Sequence, residues 1–239
     1  MLHLRTTTDT GGQTARHMAN HDATTAAAAR PAFASAFAPS GIARNAVVET
    51  LRGLVLAREL RVGDRVITRD GGARMVRWIG QSTVRYSDDA PGDAAGGRPA
   101  PRPIRIRAGA LGSTEAAGNL VIAPGQRIRR ADRRNRLLFA TDEVLVRAGD
   151  LTHLDGIDTV ARDVGHWVHV LFDRHELIRV NGIWMESFAP DLWSIRASHP
   201  DHWATMTEAL PRLKFDAGQA AYAESRVSLN AREARLLVA

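Results

Sequence analysis

Beyond residue 46 the hydrophobic positions fall in short β-prone runs, 46–50, 54–56, 65–69, 75–80, 104–108, 120–122, 126–129 and 137–139, separated by turn-forming residues. Short apolar runs closed by Gly, Pro, Asn or Asp predict strands, and their succession predicts an all-β, mainly hairpin-built domain. Two turns are specific. Asp70-Gly71-Gly72 follows Val66-Ile67-Thr68 and precedes Met75-Val76-Arg77-Trp78, and Asn181-Gly182 separates Leu177-Ile178-Arg179-Val180 from Ile183-Trp184-Met185. Both supply residues that tolerate the positive φ of a tight hairpin. Alternation of apolar residues with arginine selects Val66, Ile67, Val76, Ile79, Ile106, Val121, Leu145, Leu171, Phe172 and Ile178 as the core. Trp78, Trp167, Trp184, Trp193 and Trp203 lie in or beside apolar runs and are expected as core or edge anchors.

The texture changes at both ends and once in between. Residues 1–40 are rich in Ala and Thr and poor in branched aliphatics, so they cannot offset their ordering entropy and are expected to form a disordered tail, with at most a short helix over 24–29. The stretch 87–103 is dense in Gly, Pro, Ala and Asp and reads as a long exposed loop. After Pro190 the period becomes helical: Trp203, Met206, Thr207 and Leu210 fall at i, i+3, i+4 and i+7, with a stop at Pro211. A last helix is predicted over 231–237, capped by Ser228 or Asn230. The expected organisation is a tail, 1–40, a β domain, 41–190, and a small helical extension, 191–239.

Composition narrows the chemistry. The 239 residues contain no cysteine, which excludes disulfides, thiolate zinc sites and a thiol nucleophile. Lys214 is the sole lysine, so arginine carries nearly all of the positive charge; the net charge of +6 does not by itself imply a nucleic-acid partner. No run approaches the roughly 18 apolar residues of a membrane span, and the first residues lack the basic leader and apolar run of a usual signal peptide. A soluble monomer without cofactor or membrane contact is expected, cytoplasmic or secreted by a route independent of a signal peptide.

Arg127, Arg129, Arg130, Arg133, Arg134 and Arg136 cluster around one acid, Asp132. Such a segment can grip an anionic partner, but no aromatic interleaves with it for stacking on bases, and a solvated loop at a hairpin tip is the expected form. His169 and His175 are six apart; in one strand they would share a face and could converge on a site, with Asp173 orienting one ring. The alternative is a pair of structural histidines. Adding His166 for a metal fails, because spacings of three and six leave one ring on the opposite face. His199-Pro200-Asp201-His202 reads as a loop and helix cap.

Several stretches taken together resemble the bacterial branch of the Hedgehog/intein (Hint) family. They are Glu59-Leu60-Arg61-Val62-Gly63-Asp64-Arg65-Val66 with Thr68-Arg69-Asp70-Gly71; Val76-Arg77-Trp78-Ile79-Gly80; Arg105 to Gly112 with Asp142-Glu143-Val144-Leu145-Val146; and His169-Val170-Leu171-Phe172-Asp173-Arg174-His175-Glu176 with Asn181-Gly182 and Glu186-Ser187-Phe188. The tail Ser228 to Arg235 is similar to that family's C-terminal extension. The resemblance implies a self-processing β domain, in which a first-position Cys or Ser attacks the preceding carbonyl and converts an amide to a labile (thio)ester. It implies assistance from a Thr/Ser-x-x-His motif and, in inteins, a terminal His-Asn pair.

Carried onto this chain, the nucleophile position falls on Gly41, the hydroxyl of the assisting motif on Ala123 and its histidine on Gln126, while Glu186-Ser187 stands at the His-Asn pair. Glutamine hydrogen-bonds but transfers no proton near neutral pH. The expectation is a degenerate member that has lost autoproteolysis and splicing, with no catalytic residue assigned. Two alternatives remain: residual self-cleavage by an N-to-O acyl shift at Ser40, with His169 or His175 as base, and a binding module for an anionic partner through 127–136. With no proton to move, Gln126 is expected to carry no task, so Gln126→Ala should cost less stability than Gly182→Val at the second hairpin turn.

Overall fold

The computed structural model describes residues 32–33, 40–86, 101–112, 118–189, 195–196, 200–222 and 226–237. Two sheets organise them. The first has seven strands in the order β1 (Ala32–Phe33), β7 (Trp78–Arg85), β13 (Val164–Leu171), β2 (Ile42–Ala43), β9 (Leu120–Ile122), β8 (Ile104–Ile106) and β12 (Ile157–Thr159). The second runs β16 (Val227–Ser228), β11 (Glu143–Arg147), β10 (Arg127–Ala131), β15 (Ile183–Glu186), β14 (Leu177–Val180), β3 (Val47–Thr50), β5 (Arg65–Thr68) and β6 (Gly72–Met75), with β4 (Gly53–Leu56) paired to β3. Phe172, Ile122, Ile128, Ile178 and Met185 are fully buried in the main core. The mainly β architecture is therefore the one the apolar runs imply.

Both hairpin signals form turns. Thr68 is opposite Gly72 across β5 and β6, and Thr68 Oγ1 donates to the Gly72 carbonyl at 2.9 Å. Asn181 and Gly182 take φ of 47° and 79°, the two positive values of a type I′ turn. Asn181 also reaches across the sheet: its Oδ1 accepts the Val47 N–H at 2.7 Å, and its own N–H donates to the Val47 carbonyl at 2.8 Å. The turn thus fixes the register of β14 and β15 and joins them to β3.

Three expectations need correction. The run 75–80 is not one strand: the Val76 N–H donates to the Asp64 carbonyl and the Arg77 N–H to that of Leu171, so the chain leaves one sheet at Met75 and enters the other at Trp78. The run 137–139 is not a strand but the end of the helix Arg133–Phe139. Asp132 caps it by accepting the Arg134 N–H at 2.8 Å, and buried Asn135 Nδ2 donates to the carbonyls of Arg130 and Asp142. That anchoring overrides the β propensity of Leu137, which is left 88% exposed. Ile67 and Val121 are half-buried rather than buried, because strict alternation gives the inward positions to their neighbours Val66, Thr68, Leu120 and Ile122.

A second, smaller core forms where Met206 of the helix Pro200–Ala209, and Leu210 just beyond its end, pack with Trp78, Leu171, Leu213 and Tyr222. Further on, β16 lies parallel to β11, and Leu229, Ala234 and Leu237 join the main core. The last helix is Ala231–Ala234, with Asn230 as cap in a reciprocal box with Glu233. Apart from Ala32–Phe33, which pair parallel with Gln81 and Ser82, and Ser40, the predicted tail lies outside the described residues, as do residues 87–100 of the predicted loop and Trp193. No helix among the described residues is long and apolar enough to cross a membrane.

Candidate functional site

Strand β2 is wedged between β13 and β9, with Ile42 opposite both Val168 and Ile122. The same register sets Gly41 against His169. Gly41 has φ +115°, and a β-carbon there would lie 2.9 Å from His169 Cε1 and 2.9 Å from Trp167 Cβ. The turn Ala123-Pro124-Gly125-Gln126 closes beside it: the Gln126 N–H donates to the Ala123 carbonyl at 3.0 Å, and the Ala123 N–H donates to the Gly41 carbonyl at 3.4 Å.

Gln126 is 4% exposed and its side chain is fully engaged. Oε1 accepts the Gly41 N–H at 2.8 Å, and Nε2 donates to the Glu186 carbonyl at 2.9 Å and to that of Arg127 at 3.4 Å. One amide therefore ties the start of the domain to the end of β15. The Glu186 carboxylate accepts the Arg127 N–H at 3.2 Å and the Arg127 guanidinium at 3.3 Å, and it lies 3.5 Å from Nε2 of buried His175. Ser187 Oγ accepts the Glu176 N–H at 3.0 Å, and the Phe188 N–H donates to the Val170 carbonyl.

His169 is buried with its Nε2 2.9 Å from Ser82 Oγ and its ring against Phe188, centroids 4.7 Å apart. Burial, with a smaller contribution from nearby His202, pushes the imidazole down to about 3, so at neutral pH it is uncharged. A void of about 10 Å³, room for a single water, lies among Gly41, Gln126, His169, Glu186, Ser187 and Phe188.

The site assembles Gly41, Ala123, Gln126 and His169, and Glu186 links them to His175; Ser40, half-buried, precedes them. The two histidines do not share a strand face, because β13 ends at Leu171 and His175 lies in the connection to β14. Asp173 orients neither ring; it is exposed and pairs with Arg77 at 3.0 Å. His166 is exposed against Thr83 Oγ1, and His199 lies outside the described residues. No cluster of three His, Asp or Glu able to hold a metal occurs among the described residues.

No motif marks Ser82, but the strand pattern does: it shares the inward face of β7 with Trp78, Gly80 and Val84. The arginine segment is not a loop. It divides between β10 and the helix Arg133–Phe139, and carboxylates hold much of its charge: Arg127 on Glu186, Arg129 on Glu143, Arg134 on Asp132 and Arg136 on Asp142.

Residues 40–192 match the model of a family described as Hint domain. Among solved structures, the AceL NrdHF class 3 split intein is 8% identical, with 64% of this chain and 99% of that one covered at a TM-score of 0.40. The MchDnaB-1 intein is 15% identical over 62% of this chain and 99% of its own, TM-score 0.35. The gp41-1 intein is 10% identical over 62% and 98%, TM-score 0.35. The comparison with curated proteins finds no match.

Proposed function

Because the chain belongs to the Hint domain family, we propose that it is a Hint scaffold that has lost self-processing, with Gln126 converted from a catalytic position to a structural clasp. The observation that carries this reading is the double hydrogen bond of the Gln126 amide, to the Gly41 N–H at 2.8 Å and the Glu186 carbonyl at 2.9 Å. An acyl shift at residue 41 needs a nucleophilic side chain and a proton for the leaving amide nitrogen. Glycine offers no nucleophile, and the group facing the Gly41 nitrogen is an amide oxygen that accepts and has no proton to give.

Residual cleavage through Ser40 has less support. His169 held at about 3 is too weak a base to take a serine proton near neutral pH. The experiment is the intact mass of the purified chain after incubation with and without hydroxylamine or thiol. An unchanged mass in every arm is expected; a fragment beginning at Ser40 or Gly41 would overturn the reading, and its disappearance in Ser40→Ala would assign the chemistry to that hydroxyl.

A further inference from the structure

The connection between β10 and β11 turns apolar side chains outward. In the helix Arg133–Phe139 only Asn135 is buried, while Leu137 is 88% and Leu138 46% exposed. The cap at Asp132 and the buried amide of Asn135 fix that orientation, so the leucines do not choose it. The last turn of the chain repeats the arrangement: Leu237 is buried and its neighbour Leu236 is 55% exposed. The two places adjoin, because Leu138 and Leu236 line one shallow crevice together with Arg134 and Asn135. Each outward leucine stands four residues after an exposed arginine, Leu137 after Arg133, Leu138 after Arg134 and Leu236 after Arg232. Residues one helical turn apart are neighbours, so each apolar tip has a guanidinium on a flexible stem beside it.

Charge and size select the occupant. Arg134 is held by Asp132 and Arg136 by Asp142, but Arg133, Arg232 and Arg235 make no ion pair and no side-chain hydrogen bond among the described residues. A second copy would set these arginines against their own kind. Three leucines at these exposures offer a few hundred Å², short of the ~800 Å² that each partner of a stable protein complex buries. Leucines that project singly beside unpaired guanidiniums suit instead a surface whose apolar layer lies just beneath an anionic one, where the tips enter and the cations stop at the phosphates. We propose that the helix Arg133–Phe139 and the turn at Leu236 dock the protein on an anionic lipid bilayer, with Leu137, Leu138 and Leu236 entering the headgroup region and Arg133, Arg232 and Arg235 meeting the phosphates. The contact lies on the membrane and spans nothing, and it departs from the sequence expectation of no membrane contact, which rested on the lack of a spanning run. Gly41 and Gln126 take no part in it, so it stands apart from the processing reading.

The test is flotation of the full chain with vesicles of equal parts phosphatidylserine and phosphatidylcholine. Binding that weakens with added salt is expected, and none to vesicles of phosphatidylcholine alone. Leu137→Ser and Leu236→Ser should each weaken it at least about fivefold, and Arg133→Gln about fivefold. All three positions are exposed, so the urea midpoint should stay unchanged. Arg44→Gln removes an equal charge from an exposed place after β2, in the other sheet, and should change binding less than about twofold. Absence of flotation, equal binding to the neutral vesicles, indifference to the leucine variants, or a loss at Arg44→Gln as large as that at Arg133→Gln would each overturn the proposal. So would dimers in sedimentation velocity that Leu137→Ser abolishes, because a second copy would then cover the leucines.

Discussion

A β-carbon at residue 41 would lie 2.9 Å from both His169 Cε1 and Trp167 Cβ on a backbone whose φ is +115°, so the position that a nucleophile would need is closed to L side chains as the strands now stand. Gly41→Cys is therefore expected to destabilise the domain by at least about 2 kcal/mol, measured by chemical denaturation, and to yield no thioester by mass. Gln126 presents the opposite case. Truncating it would leave the Gly41 N–H and the Glu186 carbonyl without their partner in a buried place, at about 1–3 kcal/mol each. Gln126→Ala is thus expected to cost more than Gly182→Val, whose αL conflict is worth at least about 1 kcal/mol. This reverses the ranking that the sequence suggests; a milder loss at Gln126 would mean that the clasp contributes little.

Among the elements, hairpins were the legible part. Thr68 with Gly72, and Asn181 with Gly182, are local signals whose chemistry acts within a few residues. The connection between β10 and β11 was not legible, because Leu137-Leu138-Phe139 carries a β-like composition while its conformation is decided by Asp132 and Asn135. The break at Val76 was hidden for a related reason: its N–H is taken by Asp64, at a distance that no period records. At the site, the positions of Gly41, Ala123 and Gln126 followed from motif resemblance. Their mutual bonding did not, since it joins residues 41, 126 and 186 through tertiary contact alone. The Ser82 hydroxyl at His169 could have been found from polarity on an inward strand face; the separation of His169 from His175 depended on where β13 ends.

At the scale of the whole molecule, Glu143 gathers distant pieces. Burial opposes its ionisation, but Arg129, Arg226 and Arg69 outweigh that cost and hold the carboxyl at about 2, well below its ordinary 4.5. The folded state is thereby stabilised above pH 4.5, and this contribution fades as pH falls from there towards 2. His169 acts with the same sign over a higher window, since the unfolded chain gains its proton near 6.5 and the folded chain only near 3. Urea midpoints should accordingly decline below pH 6.5, and those of Glu143→Gln and the parent chain should converge as pH approaches 2. Arg226 also grips Asp70, so β16 is fastened to the β5–β6 hairpin as well as to β11. Leu229, Ala234 and Leu237, beyond it, are shared with the same interior as Ile42 and Met185. A backbone nick between Ser187 and Phe188 would therefore release nothing: the severed tail would stay seated by its strand, its ion pairs and its apolar residues, and the two pieces would travel through a sizing column as one until a denaturant parted them.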